Sequence, residues 1–176
     1  MTGKIACRMI QTGTILLILF FLGGCTHTLS PRQISPVPME SVGPLGPGFS
    51  VHLVNDQPLT TLQLFESDVG HKWYANYNEW TDFFIRYWGE ELTKRGVAVG
   101  TQSRNTISVK LDDLWMTHIF LVYNHGMRVH LSSPDNTWRK EFVEVTSSAR
   151  RDFANVVYNT VEQLMRDPEV LNRMKP

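Results

Sequence analysis

Apolar and polar positions change period several times along the chain, and each change marks an element. Phe49, Val51 and Leu53 alternate with Ser50 and His52, which predicts a half-buried strand. Asn55-Asp56-Gln57-Pro58 reads as the turn that follows, and Leu59 to Phe65 as a second extended piece. The period then switches to three and four. Trp80, Phe83, Phe84, Tyr87, Trp88 and Leu92 form one stripe of a helix. Asn76 or Asn78 is placed to cap its start, and Asn76 with Glu79 has capping-box spacing. Gly96 is placed to end it in the left-handed conformation, with Val97 as the apolar contact beyond. Glu90 with Lys94, and Glu91 with Arg95, read as favourable pairs on its solvent side. Gly89 costs about 1 kcal/mol relative to alanine in mid-helix, which close backbone approach to a sheet would explain.

Alternation returns after Val97 to Val99, at Ile107, Val109 and Leu111. "HIFLVY" reads as a further strand, with Asn124-His125-Gly126 as its turn and Met127, Val129 and Leu131 inward on the next. Pro134-Asp135-Asn136 makes a second hairpin turn. In "WRKEFVEV" the adjacent Phe142 and Val143 break the alternation, so a bulge and a two-sided strand are both open. "SARRDFANVVYNTVEQLMRD" predicts a second helix, with Phe153, Val156, Val157, Val161 and Leu164 inward. Asp167-Pro168-Glu169 restarts a short helix whose Val170, Leu171 and Met174 can dock. This order predicts an α+β fold: one antiparallel or mixed sheet of about four to five strands, two main helices on one face, and a short C-terminal helix.

The N-terminus has a different character. Its apolar run from Ile15 to Leu22 falls well short of the about twenty residues that span a bilayer. Lys4 and Arg8 precede it, as in the n-region of an export signal. Leu22-Gly23-Gly24-Cys25 then reads as a lipobox, the bacterial lipoprotein pattern. A core cysteine behind a buried helix is the competing reading. The lipobox implies a signal peptide over 1–24, a diacylglyceryl thioether on Cys25, cleavage before it, and acylation of the new amine by a palmitate-like chain. Stable anchoring needs more than one chain, at about 0.8 kcal/mol per buried CH₂, and this chemistry supplies that. Cys7 would leave with the signal, so no disulfide is expected. Thr26 instead of Asp after the anchor points to the outer membrane, facing the periplasm, with the inner membrane's periplasmic face as the alternative.

Residues 25–48 hold Pro31, Pro36, Pro38, Pro44 and Pro47 among glycines, with no period that could bury a face. They read as a Pro/Gly-rich tether, roughly 70 Å long if extended at about 3.1 Å per residue; a Pro-rich recognition segment is the alternative. Residues 49–176 are then one globular domain, enough for a single core. The 17 basic and 17 acidic residues balance, and loss of Lys4 and Arg8 leaves the mature chain slightly acidic. No nucleic-acid partner is expected.

The lipobox, Val54-Asn55-Asp56-Gln57-Pro58 after the first strand, Lys94-Arg95-Gly96-Val97 at the helix end, and the closing Leu164-Met165-Arg166-Asp167-Pro168-Glu169-Val170 together resemble the YajG-like bacterial outer-membrane lipoproteins. The resemblance covers most of the mature chain as an order of elements. Similar two-helix sheets occur in envelope lipoproteins that assist lipopolysaccharide insertion, lipid transport or peptidoglycan synthesis, and the resemblance implies an adapter role by analogy.

Reactive constellations are not evident. There is no G-x-S-x-G, P-loop or H-E-x-x-H. His118, His125 and His130 match no ligand spacing, with His125 placed in a turn and His130 on a polar face. Asp112-Asp113 reads as a turn or strand end, since neighbours on a strand point apart. No catalytic residue, metal or cofactor is expected. Trp73, Tyr74, Tyr77 and Trp80 cluster at the first helix's entrance, either as packing there or as a partner- or lipid-facing patch. The sequence is therefore read as a non-enzymatic, lipid-anchored envelope adapter or accessory subunit, touching the membrane through Cys25 and binding an envelope complex. A lipid or small-molecule carrier is the alternative, and an unrecognised hydrolase a third reading.

Overall fold

The computed structural model describes residues 25–68, 70–119, 122–148 and 153–176, so the export signal expected over 1–24 lies outside the described residues. Among the described residues, eight strands form two mixed sheets. The larger has the order β5-β2-β6-β7-β8. In it β2 (Ser50–Asn55) runs parallel to both β5 (Ala98–Val99) and β6 (Thr106–Ile119). β6, β7 (Val122–Ser132) and β8 (Arg139–Ser148) form an antiparallel meander. In the smaller sheet β1 (Cys25–Leu29) lies parallel to β4 (His71–Asn76), which pairs antiparallel with β3 (Leu62–Asp68). The α+β class is as the periodicity predicts, but the single sheet is not. The second sheet comes from short segments whose alternation spans too few residues to register against their neighbours.

Helix α1 (Tyr77–Lys94) follows its stripe: Trp80, Phe84, Trp88 and Leu92 are buried. The Asn76 carboxamide caps it, accepting from the amides of Asn78 at 3.0 Å and Glu79 at 3.3 Å. Gly96 ends it with φ +85°, a conformation that L side chains avoid. Helix α2 (Ala154–Leu164) begins after the buried Phe153, and α3 (Pro168–Arg173) is capped by Asp167. These helices and the meander's Ile107, Val109, Leu111, Met127, Val129 and Leu131 share one core. A register shift between Leu111 and Asp113 inserts one residue, so Leu111 and Leu114 both stay inward although three positions apart.

Two expectations change and one open choice is resolved. Asn124-His125-Gly126 is no turn: these residues pair with Thr117, Met116 and Trp115, and the β6–β7 connection lies beyond Ile119. Gly126 has a packing reason instead, because a Cβ there would overlap the Trp115 indole. His125 is accordingly buried within β7. In β8 the register with β7 is unbroken, so the strand is two-sided: Phe142 faces the core while Val143 and Val145 face outward, 47% and 54% exposed.

The second change concerns 25–48, which is not a free tether. Val37 and Val42 are core residues, 3% and 5% exposed. Arg95 explains why. Its Nε donates to the Val42 carbonyl at 3.0 Å and one Nη to the Val37 carbonyl at 2.7 Å, while the other meets Glu91 Oε2 at 2.8 Å. Glu91 Oε2 also accepts the Val37 amide at 3.1 Å. The Glu91–Arg95 pair is wholly buried, with both side chains 0% exposed, where i,i+4 spacing had placed it in solvent. Tyr87 Oη to Ser35 O and Trp80 Nε1 to Leu29 O extend the seam along α1. Prolines suit this path because most of the segment's amides need no ladder partner.

Candidate functional site

The end of the domain where β1 begins gathers several aromatic and imidazole rings. Cys25, an exposed free thiol, is the first residue of β1 and stands in register with His71. Its amide donates to Gly70 O at 2.7 Å, so the residue is tied to the β3–β4 turn. Two positions on, His27 shares a hydrogen bond with His71, Nε2 to Nδ1, at 2.8 Å. Its ring also stacks on Trp73 with centroids 4.2 Å apart. Alternation on β1 directs His27 and Leu29 inward and leaves the threonines out. Across a cleft of about 280 Å³, His71 and Trp73 face Met116, His118 and Tyr123 of the β6–β7 hairpin. His118 and Tyr123 stack at 4.5 Å. The cleft thus lies between the two sheets, next to Cys25.

The four aromatic residues singled out from sequence do not form one surface. Trp73 and Tyr74 belong to β4, and both are half-buried. Tyr77 and Trp80 are buried on α1. Tyr77 Oη accepts the Leu114 amide at 3.3 Å, and burial raises its phenol above the usual range. Trp80 packs edge-on against Phe83 and Phe153. These two are the packing of the helix entrance.

The histidines separate as well. His118 lines the cleft, His125 lies in the core against Phe153, and His130 bonds Glu141 at 2.7 Å. Among the described residues, no three His, Cys, Asp or Glu side chains converge as a metal site. Asp112 pairs with Lys110 at 2.8 Å, and that bond lowers its carboxyl pKa. No described helix is long and apolar enough to cross a membrane.

Two further surfaces were not legible in the sequence. A groove of about 760 Å³ runs between α1 and the β2–β5 edge, lined by Leu53, Ile85, Gly89 and Val99. The Gly89 approach is real but loose: a Cβ there would lie 3.5 Å from Val99 Cγ1, an ordinary contact. On the outward side of the meander, Trp115 lies over Gly126, with Val145 in register beside it. Seeing either requires the strand register, which no local pattern encodes.

No protein-family model matches the chain, and no curated protein matches it. Distant structural similarity connects it to a crystallised uncharacterised protein, 9% identical, covering 80% of this chain and 94% of that one at a TM-score of 0.41. A second similar structure is lipoprotein GNA1162 from Neisseria meningitidis, 12% identical, covering 68% of this chain and 99% of that one at a TM-score of 0.32. Scores this low carry no argument about function, and the chain is assigned to no family.

Proposed function

We propose that this protein is a lipid-anchored envelope protein, working as a non-enzymatic adapter or accessory subunit that binds another envelope component at the membrane surface. The observation that supports this best is the state of Cys25: it is the final residue of the lipobox pattern, and its thiol is free and exposed in β1. A diacylglyceryl group on Sγ and an acyl chain on the amine meet the requirement for two or more chains. Because 25–48 packs on the domain, the domain has no long reach, and its partner must come close to the bilayer. The surface for that partner is the outward side of the meander, where no described helix covers Trp115, Val143 and Val145. Thr26 after the anchor favours the outer membrane.

Cys25→Ser tests the anchor. The variant should lose the lipid mass and retain the uncleaved residues 1–24. Unchanged mass and sedimentation would refute the proposal. The partner surface is tested by cross-linking in intact cells: Val145→Lys should abolish a defined cross-linked band while the protein stays anchored. An unchanged band would exclude that face.

The carrier reading has one observation in its favour, the α1–β2 groove with its aliphatic floor. Native mass spectrometry of the Cys25→Ser protein decides it, a co-purified small molecule favouring carriage.

A further inference from the structure

From the pairing of Cys25 with β4, we infer that the Cys25 end of the domain seats in the phospholipid headgroup layer, with the His71–Trp73–His118–Tyr123 cleft as its contact surface. This rests on the anchor reading above and adds to it the orientation of the domain and the lipid surface as a direct ligand. The argument begins with distances. No residue separates the anchor from β1, because Cys25 is itself that strand's first residue and its amide is bonded to Gly70. Paired strands lie about 4.8 Å apart, so His71 opposite Cys25 is one strand spacing from the acylated residue. The headgroup layer on each side of a bilayer is roughly 5–7 Å deep, the difference between total and hydrocarbon thickness. A lipid-bound Cys25 therefore brings His71 and Gly70 to that layer, and Trp73, about 7 Å farther along β4, to its outer boundary.

The side chains there suit such a place. Trp and Tyr, with an apolar ring and a polar edge, concentrate at membrane–water interfaces. Trp73 and Tyr123 line this cleft, with the imidazoles of His71 and His118 between them as hydrogen-bonding groups. Val122, at the start of β7 beside Tyr123, is 42% exposed. The hairpin's other end is far away: the ten steps from Val122 to Ser132 span about 33 Å. Arg139, in register with Ser132, therefore stands well clear of the lipid.

The test uses the mature lipidated protein in vesicles of phosphatidylethanolamine and phosphatidylglycerol. Its only cysteine is consumed by the thioether, so one introduced cysteine carries an environment-sensitive fluorophore, at Val122→Cys or at Arg139→Cys. With brominated acyl chains in the vesicles, the label at 122 should shift to the blue and lose most of its emission. The label at 139 should be unaffected. If the protein floats with the vesicles and both labels stay in water, the docking is wrong while the anchor holds. A blue shift at 122 without bromine quenching indicates a second copy over this end, and overturns the proposal too. If the protein carries no lipid mass and does not float, the anchor reading has failed and this inference with it.

Discussion

Glu91 and Arg95 illustrate how much single positions decide here. The i,i+4 spacing that suggests a solvent pair is equally satisfied by a buried one, and burial changes its energetic role from a few tenths of a kcal/mol to a requirement. Removing Glu91 leaves the Arg95 guanidinium, 0% exposed, without its counter-charge. Glu91→Ala should therefore destabilise the Cys25→Ser protein by about 3–5 kcal/mol in urea unfolding. A loss typical of an exposed pair would contradict the buried clamp. The two glycines make opposite predictions. Gly126→Ala drives a methyl into Trp115 and should cost about 1–3 kcal/mol, whereas Gly89→Ala finds ordinary contacts and should stabilise α1 by about 1 kcal/mol. Asp135 carries a pH signature. The Ser133 hydroxyl first, then the Thr137 amide and hydroxyl, hold its carboxyl down to about 2, against an ordinary 3.8. A carboxyl depressed on folding contributes stability that is present above its unfolded value and lost as pH falls through the folded one. The Thr137 amide resonance should accordingly titrate near pH 2. A midpoint near the ordinary value would mean the turn's bonds are absent.

At the level of elements, α1 was readable in its stripe and caps but not in the burial of its Glu91–Arg95 pair, and the meander only in part. Helix periodicity runs over many residues, and both of α1's ends carry local signals, so Asn76→Ala should cost about 1 kcal/mol by leaving the Asn78 and Glu79 amides without their acceptor. The β6–β7 hairpin misled because Asn-His-Gly is turn chemistry, while its place inside β7 depends on what Trp115 does across the sheet. The slip at Phe142 and Val143 could be resolved only by the partner strand's register. Helix α3 is held to β8 by Lys140, which reaches Asp167 at 2.7 Å and Glu169 at 2.9 Å. Partial burial works against ionisation of Asp167, but the Lys140 bond and the capped amides outweigh it and lower its pKa.

For the molecule as a whole, the packing of residues 25–48 makes the difference between a segment that hangs free and one that belongs to the core. Starting the chain at Phe49 would strip Val37 and Val42 from the core and leave the Glu91–Arg95 pair short of partners. At about 1.5–3 kcal/mol per buried valine side chain, the loss should reach about 3 kcal/mol or more in chemical unfolding. A tether would give no change. The same geometry predicts limited proteolysis: 25–48 should resist cleavage as long as the domain is folded, despite its prolines and glycines.

What the sequence determined alone is whatever repeats locally: the stripe and caps of α1, the inward positions of α2, and the α+β class. Folding in three dimensions decided the rest. The second sheet, the burial of Arg95, the meaning of Gly126 and the cleft beside Cys25 all depend on which distant residues meet. A five-residue strand or a proline-rich passage has no period of its own with which to announce its partner. Its hydrogen-bonding groups and its few apolar side chains acquire a place only once the rest of the core exists to receive them.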